Sequence, residues 1–215
     1  MSDSKESERL SATEKRDLVI QAGIEAIPYV GSSLATLYFG RKQELRFKRL
    51  ETFYKEFAEE VHDLKDRIAS PEAHDKEAIA AIIEELNEKI EREQVQEKRE
   101  FLKAYLKNTL IHPATKGNYD ERRFFLDTLG AMSLLDCELL AFLYKKQGGI
   151  KVGAIQKPGV DQYAIVGGVG RLKTFGFLVS GQVSITIGGG ADNILSEILK
   201  VSDFGRRFCE FCLRT

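Results

Sequence analysis

Asp161-Gln-Tyr163-Ala-Ile165-Val-Gly-Gly-Val169-Gly-Arg171-Leu172-Lys173-Thr-Phe175-Gly176-Phe177-Leu-Val179-Ser-Gly181-Gln-Val-Ser-Ile-Thr-Ile187 changes hydrophobic period partway along. Before Gly176, Ile165, Val169 and Leu172 repeat at helical spacing. After it, the chain alternates like two strands broken at Gly181. Gly188-Gly189-Gly190 opens a flexible excursion, and Ile198-Leu-Lys-Val201 reads as a returning strand. Ser202-Asp203-Phe204-Gly205 caps a final helix, Arg206 to Leu213. Upstream, Tyr119 to Met132 reads as one helix, with Phe124, Phe125, Leu126 and Leu129 inward. Ser133-Leu-Leu-Asp136 caps the next, with Leu139, Leu140, Phe142 and Leu143 as its apolar face and Gly148-Gly149 as its end.

Helix, helix, helix, strand, wing, strand, helix is the order of a winged helix-turn-helix. The run from Ile165 through Arg171-Leu172 and Gly176 to Val179 resembles the helix-to-strand junction of bacterial winged-helix domains. Val201-Ser-Asp-Phe204-Gly205-Arg-Arg-Phe208 resembles their closing strand and helix. The resemblance covers residues 119–215 and implies fold more than function. Ile27-Pro28-Tyr-Val30-Gly31, with Gln96-Glu-Lys98-Arg99 through Leu110, resembles uncharacterised bacterial helical proteins that carry such a domain C-terminally. A bacterial setting, with a phage-defence context among such proteins, is what the resemblance implies.

The preceding 113 residues differ in character. They hold 19 Lys+Arg and 23 Asp+Glu, against 13 and 10 in the remainder, and most of the 18 glycines lie at or after Gly117. His112-Pro113 and Gly117 stop a helix, so a boundary is expected there: residues 1–10 a disordered tail, 11–113 an all-helical hairpin or bundle, 114–215 the winged helix. Ser11-Ala-Thr-Glu14 has capping-box spacing for a first helix running to about Ala26. Leu50, Phe53, Phe57, Val61, Leu64 and Ile68 form one stripe on a long helix. Ser70-Pro71 starts another, striped by Ile79, Ile82, Ile83, Leu86 and Ile90. The pattern resumes in Phe101, Leu102, Tyr105, Leu106 and Leu110. Two long helices with a short connection pair antiparallel. The fold class expected is therefore mainly α: a long helical hairpin followed by an α+β winged helix-turn-helix domain.

Leu18 to Phe39 is mostly apolar and is followed by Arg41, Lys42, Arg46, Lys48 and Arg49, a pattern shared with membrane segments and their basic anchors. Gln21, Glu25 and Pro28 oppose insertion, since a buried acid costs about 2–3 kcal/mol. A buried or partner-covered helical corner is the leading expectation for this segment, ahead of a membrane-contacting segment or an oligomer interface, for which Ile27, Pro28, Tyr29, Val30 and Gly31 with the five cations are the candidate residues.

Composition narrows the function classes. With 43% hydrophobic and 30% charged residues, the chain can bury a core. A net charge of −1 supplies no global basic field for nucleic acid. Three cysteines do not make a secreted disulfide framework, and the polar N-terminus is unlike a signal peptide. A cytoplasmic location, peripheral to the inner membrane if Leu18–Phe39 engages it, is the expectation.

No catalytic motif emerges. Gly167-Gly168-Val-Gly170 lacks the last glycine of a dinucleotide fingerprint, with Lys173 standing there. Cys209-Glu-Phe-Cys212 is a single pair among apolar neighbours, read as core thiols, because zinc would need Cys137 and a distant histidine to complete its set. His62, His74 and His112 have no nucleophile or paired carboxylate at a useful spacing. Neither enzyme activity nor a cofactor, metal or small-molecule substrate is expected.

A regulatory or adaptor protein is expected, with the winged helix touching a protein partner and the long amphipathic helices giving a homo-oligomer or a bundle with another chain. The first alternative is a DNA-binding regulator acting through Lys157, Gln162, Tyr163, Arg171, Lys173 and the wing. Against it, three glycines in the recognition helix cost about 1 kcal/mol each and show no side chains to base edges. The second is a membrane-acting defence effector using Leu18–Phe39.

Overall fold

Leu50, Phe53, Tyr54, Phe57 and Val61 recur at three- and four-residue steps, and all five are buried on helix α1, Glu44–His62. The computed structural model describes residues 44–62, 64–146, 148–181 and 193–214. Among these the chain is mainly helical, with one small antiparallel sheet. The expected tail, the first helix and the Leu18–Phe39 corner lie outside the described residues.

Two compact units divide the chain. In the first, α1 lies against α2, Lys76–Arg92, whose Ile79, Ile82, Ile83, Leu86 and Ile90 are buried. The pairing is antiparallel: Arg49 Nε donates to the Glu91 carbonyl at 2.9 Å, and the Tyr54 hydroxyl donates to Asn87 Oδ1 at 2.6 Å. Phe53 adds an edge contact with Tyr54 and a stacked one with Phe57. Burial pushes the Tyr54 phenol well above its ordinary value, the Asn87 bond offsetting only part.

Two local expectations are corrected here. The stripe through Leu64 and Ile68 does not stay on one helix. A 3₁₀ turn, Lys65–Arg67, follows α1, and the Ala69 N–H donates to the Leu110 carbonyl at 3.0 Å instead of continuing a helical ladder. Ser70 does not start α2 either. Pro71–Ala73 is an isolated 3₁₀ turn, and Asp75 is the N-cap, accepting from the Ala78 N–H at 3.0 Å. The separation has a tertiary cause: Asp75 N–H donates to the Ala114 carbonyl at 2.8 Å, while Ala114 N–H donates to His74 Nδ1 at 3.2 Å. That exchange holds His74 extended (φ −90°, ψ 141°) and keeps the two helical turns apart.

Helix α3, Gln96–Ile111, crosses the division between units. The helix up to Asn108 belongs with 120–215, whereas its last turn belongs, with the residues through Tyr119, to the first unit. The helix itself ends at Ile111, and the units divide within it and after Tyr119. Within the second unit, the Tyr105 hydroxyl donates to the Arg122 carbonyl at 3.0 Å, and Asn108 Nδ2 donates to the Phe211 carbonyl at 2.9 Å. Those bonds tie α3 to partners 17 and 103 residues away.

The second unit continues with α4, Tyr119–Ala131, and α5, Leu134–Lys145. A two-residue strand β1, Ile150–Lys151, and a 3₁₀ turn, Val152–Ala154, lead to α6, Gln162–Thr174. Strand β2, Leu178–Gly181, the short α7, Asn193–Ser196, and strand β3, Ile198–Val201, follow. Helix α8, Asp203–Phe208, runs on into a π-helical turn, Cys209–Leu213. The sheet order is β1-β3-β2, both pairings antiparallel, with Ile150 opposite Leu199 and Leu178 opposite Val201. Strand β1 was not anticipated, because two residues leave no periodicity to detect. The expected continuation of the strand pair to Ile187 lies outside the described residues.

Two glycines shape the joint between α6, β2 and α8. Gly176 sits at φ +76°, its N–H donating to the Lys173 carbonyl while Phe177 N–H reaches the Leu172 carbonyl. These are the paired bonds of a Schellman stop, which asks for a left-handed residue. At Gly205, an added Cβ would stand 2.3 Å from the Phe177 carbonyl oxygen. That close approach lets Phe177 stack on Phe208 at 4.3 Å and meet Phe204 at 5.7 Å, building an aromatic core with Phe125.

Candidate functional site

Helix α6 presents three strips. Ile165, Gly168, Val169 and Leu172 are buried. At 100° per residue, Tyr163, Gly167, Gly170 and Thr174 fall on one line, and all four are exposed. Tyr163 is 61% exposed and carries the one large side chain on this outward ridge. Arg171 and Lys173 flank it, one on each side.

Neither flanking cation stands alone. Arg171 forks onto Asp136: Nη2 lies 2.8 Å from Oδ1, and Nε lies 3.0 Å from Oδ2 and 3.2 Å from Oδ1. Asp136 is fully buried near the start of α5, and it also closes that helix's capping box. Its Oδ2 accepts from the Ser133 N–H at 2.9 Å and the Ser133 hydroxyl at 2.8 Å, while Ser133 Oγ accepts from Asp136 N–H. Burial alone would push the Asp136 carboxyl up; the Arg171 fork and the two Ser133 donors outweigh it and hold it below the usual carboxylate value. The same fork raises Arg171.

Lys173 Nζ lies 2.5 Å from Glu197 Oε1, just before β3. Burial pushes the Glu197 carboxyl up, and the bonds from Lys173 and Ser180 more than offset this, leaving it below its ordinary value. Lys157, in the loop before α6, pairs with Glu138 of α5. Gln162 Nε2 donates to the Val152 carbonyl at 3.2 Å, orienting the first turn of α6 against the 3₁₀ turn. Lys157, Arg171 and Lys173 are thus each matched by one carboxylate of the same unit. Sequence reasoning named the cations and missed Glu138 and Glu197, whose partners lie 19 and 24 residues away. Asp136 was visible only as a cap.

The glycine-rich run lies inside α6, so its backbone forms a helix and not a phosphate loop. Gly168 is there for packing: an added Cβ would come within 2.7 Å of Leu139 Cδ1 and 3.1 Å of Asp136 Oδ1. Gly170 has open space around it.

Cys137, Cys209 and Cys212 are buried, and none of the three is in a disulfide. Burial pushes the Cys209 thiol up to about 12 and the Cys212 thiol well above its ordinary value. Nucleophilic thiol chemistry draws on the opposite shift. Among the described residues, no group of three or more His, Cys, Asp and Glu side chains could hold a metal ion.

Of the proposed membrane anchor, Arg46 and Lys48 are exposed on α1, while half-buried Arg49 holds the end of α2. Ile27, Pro28, Tyr29, Val30, Gly31, Arg41 and Lys42 lie outside the described residues. Among the described residues, no helix is long and apolar enough to cross a membrane. No protein-family model, curated protein or solved structure matches this chain.

Proposed function

We propose that residues 114–215 form a winged helix-turn-helix whose α6 face meets a protein partner, in a non-enzymatic regulatory or adaptor protein. Element order, the β1-β3-β2 antiparallel sheet and the Schellman stop between α6 and β2 support the fold. The internal neutralisation of Lys157, Arg171 and Lys173 carries the choice of partner. Duplex affinity depends on cations offered to phosphates, and these three are already matched by carboxylates. What α6 turns outward is an uncharged ridge, with Tyr163 projecting at one end and Gly167 and Gly170 low enough for another chain to approach closely.

Fluorescence anisotropy of a labelled random duplex against the full chain, at about 50 and 200 mM salt, tests this. The expected trace is flat at both. Micromolar binding that weakens several-fold at the higher salt would replace the proposal with a DNA-binding regulator. A photo-crosslinking residue at Tyr163, compared with one at exposed Glu84 on α2, should form a protein adduct only at Tyr163.

A further inference from the structure

We infer that Glu138 and Glu197 are specificity determinants that exclude nucleic acid from the α6 face. This deepens the proposed protein-contact role and rests on it. Lys157–Glu138 and Lys173–Glu197 belong to different elements of the same unit, yet both place an acid beside a cation that could otherwise reach a phosphate.

These pairs differ from the Arg171–Asp136 fork in what they do for the fold. Asp136 is 1% exposed and caps a helix, so Arg171 is needed to balance a buried charge. Lys157 and Glu138 are about two-fifths exposed on both sides, where an ion pair adds little to stability. Stability therefore does not explain Glu138. Lys173 is one-third exposed, so its ammonium stays within reach of solvent and of an approaching phosphate. With both acids present, the local charge from these four side chains sums to zero. Without them, Lys157 in the loop before α6 and Lys173 beside the outward ridge would be left unmatched and open to phosphate. Rejecting a competing ligand by placing like charge against it is a standard route to specificity.

The test is the double variant Glu138→Gln/Glu197→Gln, which keeps the side-chain shape while removing two negative charges and exchanging one acceptor oxygen for an amide donor at each site. In duplex anisotropy on the full chain, wild type should stay flat and the variant should bind. Two phosphate contacts give a log–log salt slope near −1.8, so a change from about 50 to 200 mM salt should weaken binding about tenfold. Adding Lys157→Gln and Lys173→Gln to the same chain should abolish the gain. If wild type and a folded double variant are both flat, the exclusion idea is overturned while the protein-contact reading stands. If wild type itself binds duplex with that salt dependence, both fall. Should Glu197→Gln disturb folding, as circular dichroism would show, Glu138→Gln alone carries the test with half the slope.

Discussion

Replacing Arg171 with methionine should destabilise the second unit far more than a surface arginine ordinarily would. Asp136 receives three close approaches from Arg171 and two hydrogen bonds from Ser133. Methionine keeps much of the aliphatic volume and strips out the fork. A buried carboxylate then keeps only the Ser133 donors. Breaking a buried pair by removing one partner costs about 3–5 kcal/mol. Half of the Arg171 side chain is exposed, so water can partly replace it, and about 3 kcal/mol is the expected loss. With a urea m-value near 2 kcal/mol/M, the midpoint should fall by about 1.5 M. Urea titration followed by far-ultraviolet circular dichroism suits a chain without tryptophan.

The pH dependence of that loss identifies its cause. In the folded wild type the Asp136 carboxyl titrates below its ordinary value of 3.8, so the unfolded chain takes up the proton first as pH falls. The fork's contribution is fully present well above that value and disappears as pH drops through it and then through the lower folded one. Without Arg171, burial dominates and the carboxyl protonates earlier. The gap between wild type and variant should therefore narrow from about 3 kcal/mol at pH 7 toward under about 1 kcal/mol near pH 3. A gap below about 1 kcal/mol at pH 7, or one that does not change with pH, would refute the ion-pair account.

Neighbouring glycines on α6 should respond with opposite signs. Gly170→Ala meets nothing within 4 Å and should raise stability by about 0.5–1 kcal/mol, whereas Gly168→Ala collides with Leu139 and should lower it by about 1–3 kcal/mol; thermal melts separate them. Gly205→Ala puts a methyl against the Phe177 carbonyl, a backbone atom that cannot swing aside, so a loss above about 3 kcal/mol or failure to fold is expected, and wild-type melting would exclude the close approach. Tyr54 and Asn87 form a buried pair, so Asn87→Ala should cost about 1–3 kcal/mol, with much of it recovered when Tyr54→Phe is added; a double-mutant cycle with no coupling would sink this. At pH 8 the native thiols should resist iodoacetamide and react promptly in urea. Because the folded thiols ionise later than unfolded ones, stability should decline as pH rises above about 9, and rapid native labelling would contradict burial.

Much of the helical architecture was legible from side-chain period and capping chemistry. The stripes of α1 and α2, the Ser133 and Ser202 caps, and the Gly176 stop are written within a few residues of where they act, because helix faces and caps are short-range physics. Period says which way a side chain faces, not where the backbone bonds go. Leu64 and Ile68 keep the stripe's spacing although the helix has already ended, and Asp75 takes the cap from Ser70 through bonds to Ala114. The membership of α3 in two units follows likewise from partners as distant as Phe211.

The candidate site divides along the same line. Sequence alone determined that Lys157, Arg171 and Lys173 frame a glycine-rich helix, and that few cations surround it. Only the tertiary structure decided that each faces a carboxylate, since Asp136, Glu138 and Glu197 come from other elements 35, 19 and 24 residues away. Charge is carried by residue type and is countable in one dimension. Neutralisation depends on distance across a fold, and no local pattern encodes it.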